Sequence, residues 1–301
     1  MKYQILHHNH DEVQIHFKEN KYQLTSDNQE TKLLVVGSTT ILKENVLKKY
    51  PSLKYLVVTC NGLNNIDQEY CKNNNIKIFN SPTANINATA EHTAALILAS
   101  LRNILPSDKS IRRGKWERKL FIGTEIRENN VGFIGFGRIA RLVCQKLESF
   151  SPKNIYAYDP FLTQEQIDQV NSTSLKVNKV ELNELLSKST IISLHLPLLP
   201  KTKHLISKDQ FNLMQKETII VNCSRGGIID ETELIEALTT NKIKAAALDV
   251  FENEPEVNPD LFKLPNCILT PHLASMTAKA QESMITQAKE SFEKYLQAQK
   301  N

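Results

Sequence analysis

Arg225, Glu254 and His272 are the side chains of this sequence best suited by type and setting to do chemistry, because each closely follows a short apolar run. Ile219-Ile220-Val221 leads into Asn222-Cys223-Ser224-Arg225-Gly226-Gly227-Ile228-Ile229-Asp230. Ala245-Ala246-Ala247-Leu248 leads into Asp249-Val250-Phe251-Glu252-Asn253-Glu254-Pro255, and Ile268-Leu269 into Thr270-Pro271-His272-Leu273-Ala274-Ser275. A planar guanidinium grips a carboxylate through two parallel hydrogen bonds, which a lysine ammonium cannot do. An imidazole held by a carboxylate is a common means of moving a proton near neutral pH. Singly, each of these residue types is usually a solvated surface group. Together, at the ends of three apolar runs, they point to a site.

A second signal lies upstream. Val131-Gly132-Phe133-Ile134 runs into Gly135-Phe136-Gly137-Arg138-Ile139-Ala140, a strand, a glycine turn and a helix start. Gly135 permits the tight turn, Gly137 lets the backbone approach a pyrophosphate, and Ala140 takes the small position where helix packs on strand. The helix N-terminus then offers free N–H groups and a positive dipole end to the phosphates. Alone, the pattern is also that of an ordinary glycine turn. Context strengthens it, because Ile155-Tyr156-Ala157-Tyr158 ends in Asp159, at the spacing of a carboxylate that binds the adenosine ribose. An acid there repels a 2′-phosphate, and Pro160 and Phe161 follow with no arginine. The expected cofactor is NAD.

Positioning these groups falls to a regular alternation that begins at Val131. Strands are predicted over 131–134, 155–158, 191–194, 219–221, 245–248 and 268–269, with helices over 139–147, 179–186, 208–214 and 231–239. Six near-continuous apolar strands separated by helices imply a parallel sheet covered on both faces. The carboxyl ends of such strands share one edge, where ligands of these sheets bind. Arg225, Glu254 and His272 are therefore expected to converge beside the nicotinamide.

The first third alternates in a less regular way. Leu33–Val36, Leu56–Val58 and Ile76–Phe79 read as strands, and Lys43–Tyr50 as a helix. Val13, Ile15 and Phe17 alternate with polar residues, so this segment is expected to be one arm of a hairpin turning near Glu19-Asn20-Lys21. Asn87–Asn103 is rich in strong helix formers and predicts one long buried helix. A basic, irregular stretch, Arg112–Lys119, surrounds the single tryptophan, Trp116, and Thr277–Gln299 predicts an amphipathic helix.

At 301 residues the chain suits two domains. Its net charge of +4 is spread along the sequence, so no nucleic-acid or anionic-membrane partner is expected. The N-terminus turns polar before an apolar signal core forms, and the longest apolar run, near Ala94–Leu101, is too short for a membrane span. Cys60, Cys71, Cys144, Cys223 and Cys267 are scattered and form no C-x-x-C pair. Neither a disulfide framework nor a zinc site is expected, and a reducing cytoplasm fits. His7, His8 and His10 read as an exposed polar strand end, with a metal site as the lesser alternative.

Over nearly its whole length the sequence resembles the D-isomer-specific 2-hydroxyacid dehydrogenases. The resemblance is carried by the Gly135 turn, the segment Ser193-Leu194-His195-Leu196-Pro197-Leu198 and the three strand-end motifs in the family's order. Asn61-Gly62-Leu63-Asn64-Asn65-Ile66-Asp67, Phe79-Asn80-Ser81-Pro82 and Ala90-Glu91 add to it. It implies an α/β protein of two Rossmann-like domains, a doubly wound parallel-sheet NAD domain and a smaller flavodoxin-like substrate domain. It further implies hydride transfer between NAD(H) and a small D-2-hydroxy or 2-keto acid. Arg225 would hold the substrate carboxylate, with Asn61 and Gly62 offering backbone N–H groups. His272 would exchange a proton with the ketone oxygen, and Glu254 would orient the imidazole. Cofactor contacts would come from Gly135, Gly137, Arg138, Ile139, Asp159, His195, Pro197, Thr202, Cys223, Ser224, Asp249 and Ala274. His195 would lie along the adenosine pocket rather than transfer a proton.

The same resemblance assigns residues 1–90 with 276–301 to the substrate domain and 91–275 to the NAD domain, with hinges near the long helix and near His272. A homodimer is implied, with Arg102–Ile126 as the contact arm and no further regulatory domain after the last helix. Two features depart from the family, and a third disfavours formate as a substrate. Asp11–Leu24 reads as a hairpin where members have a helix between two strands. Val36-Gly37-Ser38-Thr39-Thr40 lacks the arginines of some members that act on phosphorylated acids. Glu254 stands where the superfamily's formate dehydrogenases have glutamine. A rival reading is an NAD(H)-sensing binding protein, like the corepressors related to this family.

Overall fold

A strand buried on both faces needs no polar alternation, and apolar runs such as Leu33–Val36 and Ile219–Val221 form the inner strands of two wholly parallel sheets. The computed structural model describes residues 1–7, 10–18, 21–171 and 176–299. The chain divides into two compact units, Met1–Asn85 with Ser275–Asn301, and Ile86–Ala274.

The smaller unit contains β1 (Lys2–Leu6), α1 (His10–His16), β2 (Gln23–Leu24), β3 (Leu33–Val36), α2 (Glu44–Leu47), β4 (Tyr55–Val58), α3 (Gln68–Asn73) and β5 (Lys77–Phe79). Strand order is β2-β1-β3-β4-β5, the flavodoxin-like arrangement. Alternate residues of β3 feed opposite layers. Leu33 and Val35 join Tyr3, Phe17 and Phe292 on one face, while Leu34 and Val36 join Leu42, Leu47 and Leu56 on the other. Phe292 comes from the C-terminal helix, Ala278–Ala298, which covers the first of these faces.

The larger unit opens with α4 (Ile86–Leu101) and α5 (Ile104–Arg112). It continues with β6 (Asn130–Ile134), α6 (Arg138–Glu148), β7 (Asn154–Tyr158), α7 (Gln164–Asn171), β8 (Val177–Lys179), α8 (Leu182–Lys188) and β9 (Ile191–Leu194). The last elements are α9 (Lys208–Leu213), β10 (Ile219–Asn222), α10 (Glu231–Thr239), β11 (Ala245–Leu248) and β12 (Cys267–Leu269). The sheet order is β12-β11-β10-β9-β6-β7-β8, with all pairings parallel. Chain order reverses between β9 and β6, and α4 packs against α6 and across β10 and β11. Among the described residues, no helix is long and apolar enough to cross a membrane.

Four expectations from sequence need correction. Asp11–Leu24 is not a hairpin: α1 replaces the expected strand, and β2 pairs with β1 in parallel. Burial follows a period of four, with Val13 and Phe17 buried and Ile15 64% exposed. The polar alternation was real but too short to separate a period of two from one face of a helix. Glu19 and Asn20 lie outside the described residues. The long helix stops at Leu101, where Asn103 adopts a left-handed φ of 52° and a second helix begins. The large sheet has seven strands rather than six among the described residues, because Val177–Lys179 pairs with β7. That strand takes the residue expected to open the next helix, which starts instead at Leu182.

The register of α1 gives a direct test. Phe17→Ala should destabilise the smaller unit by about 3–5 kcal/mol through the cavity it leaves, whereas Ile15→Ala should cost less than about 0.5 kcal/mol. Urea unfolding followed by circular dichroism measures both. Equal losses would place the two side chains on one buried face and contradict the helix.

Candidate active site

Each chemically capable side chain of the larger unit sits just past a parallel strand, and the loops that carry them are braced against one another. β10 ends in the buried Asn222, whose Oδ1 accepts from Ser224 N (3.0 Å) and Ser224 Oγ (2.7 Å). Its Nδ2 donates to Arg225 O at 2.9 Å, so one amide shapes the turn that presents Arg225. Gly226 follows because a Cβ there would lie 1.7 Å from Phe251 O. Only glycine allows the two loops this approach. Farther on, Glu231 Oε1 accepts from Glu252 N at 2.8 Å and Glu252 Oε1 from Glu231 N at 3.2 Å. Sequence reasoning missed Asn222, Glu231 and Glu252; an amide ending an otherwise apolar strand was the available signal.

Glu254 meets His272 directly. His272 Nδ1 lies 2.8 Å from Glu254 Oε2, and Glu254 Oε1 accepts from Phe251 N at 3.0 Å. Burial alone would raise the Glu254 pKa. The hydrogen bond and charge of His272, the Phe251 N–H and the Arg225 guanidinium outweigh it and hold the carboxyl below its ordinary value. With Nδ1 committed to Glu254, Nε2 is the ring atom available for proton exchange. Arg225 is half-buried, and its Nη1 donates to Ser224 O at 2.5 Å.

The His272 backbone is left-handed, at φ 54°, a conformation that costs a non-glycine residue roughly 1–3 kcal/mol. Asp249 holds it there. The carboxylate is fully buried. Oδ1 accepts from Leu273 N (2.7 Å) and Thr270 Oγ1 (2.5 Å), and Oδ2 from Ala274 N (2.9 Å). Asp249 O accepts from His272 N at 2.9 Å. Burial pushes the Asp249 carboxyl up, yet the hydrogen bonds from His92, Thr270, Leu273 and Ala274 outweigh it and leave the pKa lowered. The sequence marked this residue only as a cofactor contact and missed its part in shaping the turn.

The glycine turn has the geometry its sequence predicts. Gly135 is left-handed at φ 81°, and an added Cβ would meet His195 O at 2.5 Å. Gly137 caps α6 at an ordinary φ of −76°, and a Cβ there would meet no atom of the chain. Packing therefore does not explain this glycine; an anion resting on the α6 N-terminus would, and the site fits a pyrophosphate. Asp159 closes onto the turn, accepting from Phe136 N at 3.0 Å and Phe161 N at 2.9 Å. Arg138 and Pro197 are exposed, Ile139 and Ser224 half-buried, and Ala274 buried. Thr202 Oγ1 donates to Pro197 O at 2.6 Å and accepts from Leu199 N at 2.8 Å, which fastens the loop after β9.

His195 and Cys223 are poor proton carriers. Burial pushes the His195 imidazole down to about 3, and its Nε2 bonds Ser193 Oγ at 2.8 Å. Burial pushes the Cys223 thiol up to about 12. In the smaller unit, Asn61 and Gly62 follow β4. Asn80 Nδ2 donates to Asn61 O at 2.8 Å and Cys60 Sγ to Gly62 O at 3.2 Å. Among the described residues no three His, Cys, Asp or Glu side chains come together as a metal-ligand set. His8 lies outside them.

Asp249 carries a pH signature. A depressed carboxyl stabilises the fold fully above its ordinary value of 3.8, and the gain is lost as pH falls through the folded value. Asp249→Asn should therefore lower the urea midpoint at pH 7 and flatten its decline below about pH 4. An acid limb of unchanged slope would show that the buried group is not ionised.

Residues 94–274 match the model of the D-isomer specific 2-hydroxyacid dehydrogenase family, NAD binding domain. The D-3-phosphoglycerate dehydrogenase of Methanocaldococcus jannaschii is 40% identical over 289 residues, which cover 96% of this chain and 54% of that protein. The chain thus spans about half the length of the curated relatives it matches. A glyoxylate reductase from Paecilomyes thermophila is similar in structure, with a TM-score of 0.84 and 26% identity over 97% of this chain and 94% of that one. The D-lactate dehydrogenase of Aquifex aeolicus, solved with NAD and lactic acid, shares the fold at a TM-score of 0.86 and 24% identity, covering 99% of this chain and 96% of that one. The chain belongs to the D-isomer specific 2-hydroxyacid dehydrogenase family, with that family's NAD binding domain in its larger unit.

Proposed function

We propose that this chain is an NAD-dependent oxidoreductase that interconverts a small D-2-hydroxy acid and its 2-keto acid. The observation that carries the reading is the 2.8 Å contact of His272 Nδ1 with Glu254, on loops tied to the one bearing Arg225. Arg225 binds the acid's carboxylate and polarises the adjacent carbonyl. His272 gives a proton from Nε2 to the ketone oxygen in reduction and takes it back in oxidation. Glu254 holds the ring through its contact with Nδ1. NAD, when bound, supplies the hydride acceptor or donor. Gly135, Gly137, Arg138 and Ile139 hold the pyrophosphate, Asp159 the ribose, and His195, Pro197, Thr202, Cys223, Ser224, Asp249 and Ala274 line the rest of the cofactor site. Asn61 and Gly62, in the smaller unit, carry backbone N–H groups suited to a carboxylate.

The substrate's side chain follows from the relatives only as a short list. Phosphohydroxypyruvate and glyoxylate lead it, since relatives are named for D-3-phosphoglycerate and glyoxylate. The chain works as a homodimer through the segment 102–126, where Trp116 (78%), Leu120 (71%) and Ile122 (76%) leave large apolar surface in solvent. A reducing cytoplasm suits its five free cysteines, of which Cys144, Cys223 and Cys267 have thiols pushed up to about 12 by burial.

NADH oxidation against a panel of pyruvate, glyoxylate, hydroxypyruvate, 2-ketobutyrate, branched 2-keto acids and phosphohydroxypyruvate tests the activity. On the best substrate, His272→Asn should slow turnover by about 10²–10⁴-fold with NADH affinity largely kept. NADH binding without turnover of any acid would favour a cofactor-sensing protein instead. Asp159→Ala should narrow the preference for NADH over NADPH; undiminished discrimination would mean that another group reads the ribose.

A further inference from the structure

The turn bearing His272 is also held from outside the strand ends. His92, in the first half of α4, places Nε2 3.2 Å from Asp249 Oδ1 and 3.2 Å from Thr270 Oγ1. The roles of these atoms follow from their neighbours. Thr270 Oγ1 donates its proton to Asp249 Oδ1, so toward His92 both oxygens can only accept. Nε2 must therefore carry a proton, shared between them. One side chain of α4 thus reaches the ends of β11 and β12.

We infer that His92 is a positioning residue: its Nε2–H pins the Asp249 carboxylate and Thr270 hydroxyl, and through them the strained turn that presents His272. The physical reason is the turn itself. A left-handed histidine persists only where its surroundings over-determine it, and Asp249 can bind Leu273 N and Ala274 N only while its own carboxylate is fixed. Beta-strand ends supply Thr270; α4 supplies the one side-chain donor from another layer. Among the described residues His92 hydrogen-bonds Asp249 and Thr270, not Arg225, Glu254 or His272. It acts through Asp249 and Thr270.

The effect on turnover rests on the dehydrogenase reading, whereas the effect on the turn does not, so both are measured on the full chain. His92→Leu removes the donor and keeps the bulk; His92→Gln returns an amide N–H at similar reach. In His92→Leu, the amides of Leu273 and Ala274 should exchange with deuterium about tenfold faster. The kcat for keto-acid reduction should fall about 10–100-fold. His92→Gln should restore most of both. Unchanged exchange at Leu273 and Ala274 in His92→Leu, or equal losses in the two variants, would overturn the inference. Absence of wild-type turnover with every acid would sink the dehydrogenase reading alone and leave the exchange result to decide the clamp.

Discussion

The site depends on one buried carboxylate. Asp249 has no solvent exposure, and an ionised carboxyl so placed survives only if donors surround it. They do: two backbone N–H groups, a threonine hydroxyl and a histidine N–H converge on its two oxygens. Because the backbone donors belong to Leu273 and Ala274, satisfying the charge also dictates the course of the chain after β12. His272 is caught in that course, in a left-handed conformation it would not adopt freely. The constraint runs from electrostatics to backbone to imidazole.

Other braces act in the same direction. Gly226 lets the Arg225 loop touch the carbonyl of Phe251, and the reciprocal Glu231 and Glu252 contacts repeat that link a few residues on. Asn222 shapes the turn between them. A guanidinium and an imidazole–carboxylate pair are thereby mounted on loops braced against one another. Preorganisation of this kind is what lets charged groups stabilise a developing charge without first rearranging. It also explains why the strand ends are rich in residues with no chemistry of their own.

Much of the architecture was legible in the linear pattern, for a simple reason. Leu33–Val36, Ile191–Leu194 and Ile219–Val221 are buried on both faces of their sheets, so burial leaves a short, nearly continuous apolar run bounded by polar residues. Elements with one exposed face were harder. In α1, seven residues supply fewer than two turns, and Val13, Ile15 and Phe17 fit a strand until burial shows that Ile15 points outward. Val177–Lys179 is a three-residue edge strand with a lysine and an asparagine, and only its pairing with β7 identifies it. Asn103 ends α4 through a backbone angle, which leaves little trace in composition.

Residue types and spacing were enough to predict the parallel sheet and the glycine turn followed by Asp159, and to nominate Arg225, Glu254 and His272 as candidates, because each requires a particular chemistry near a particular strand end. Which atoms meet was decided only by the tertiary structure. His272 bonds Glu254 across eighteen residues of sequence, and His92 reaches Asp249 and Thr270 from a helix more than 150 residues earlier. No local pattern encodes such contacts. They exist because a parallel sheet gathers the ends of distant strands along one edge and lays a helix across them, so that the partners of a buried charge are chosen by packing.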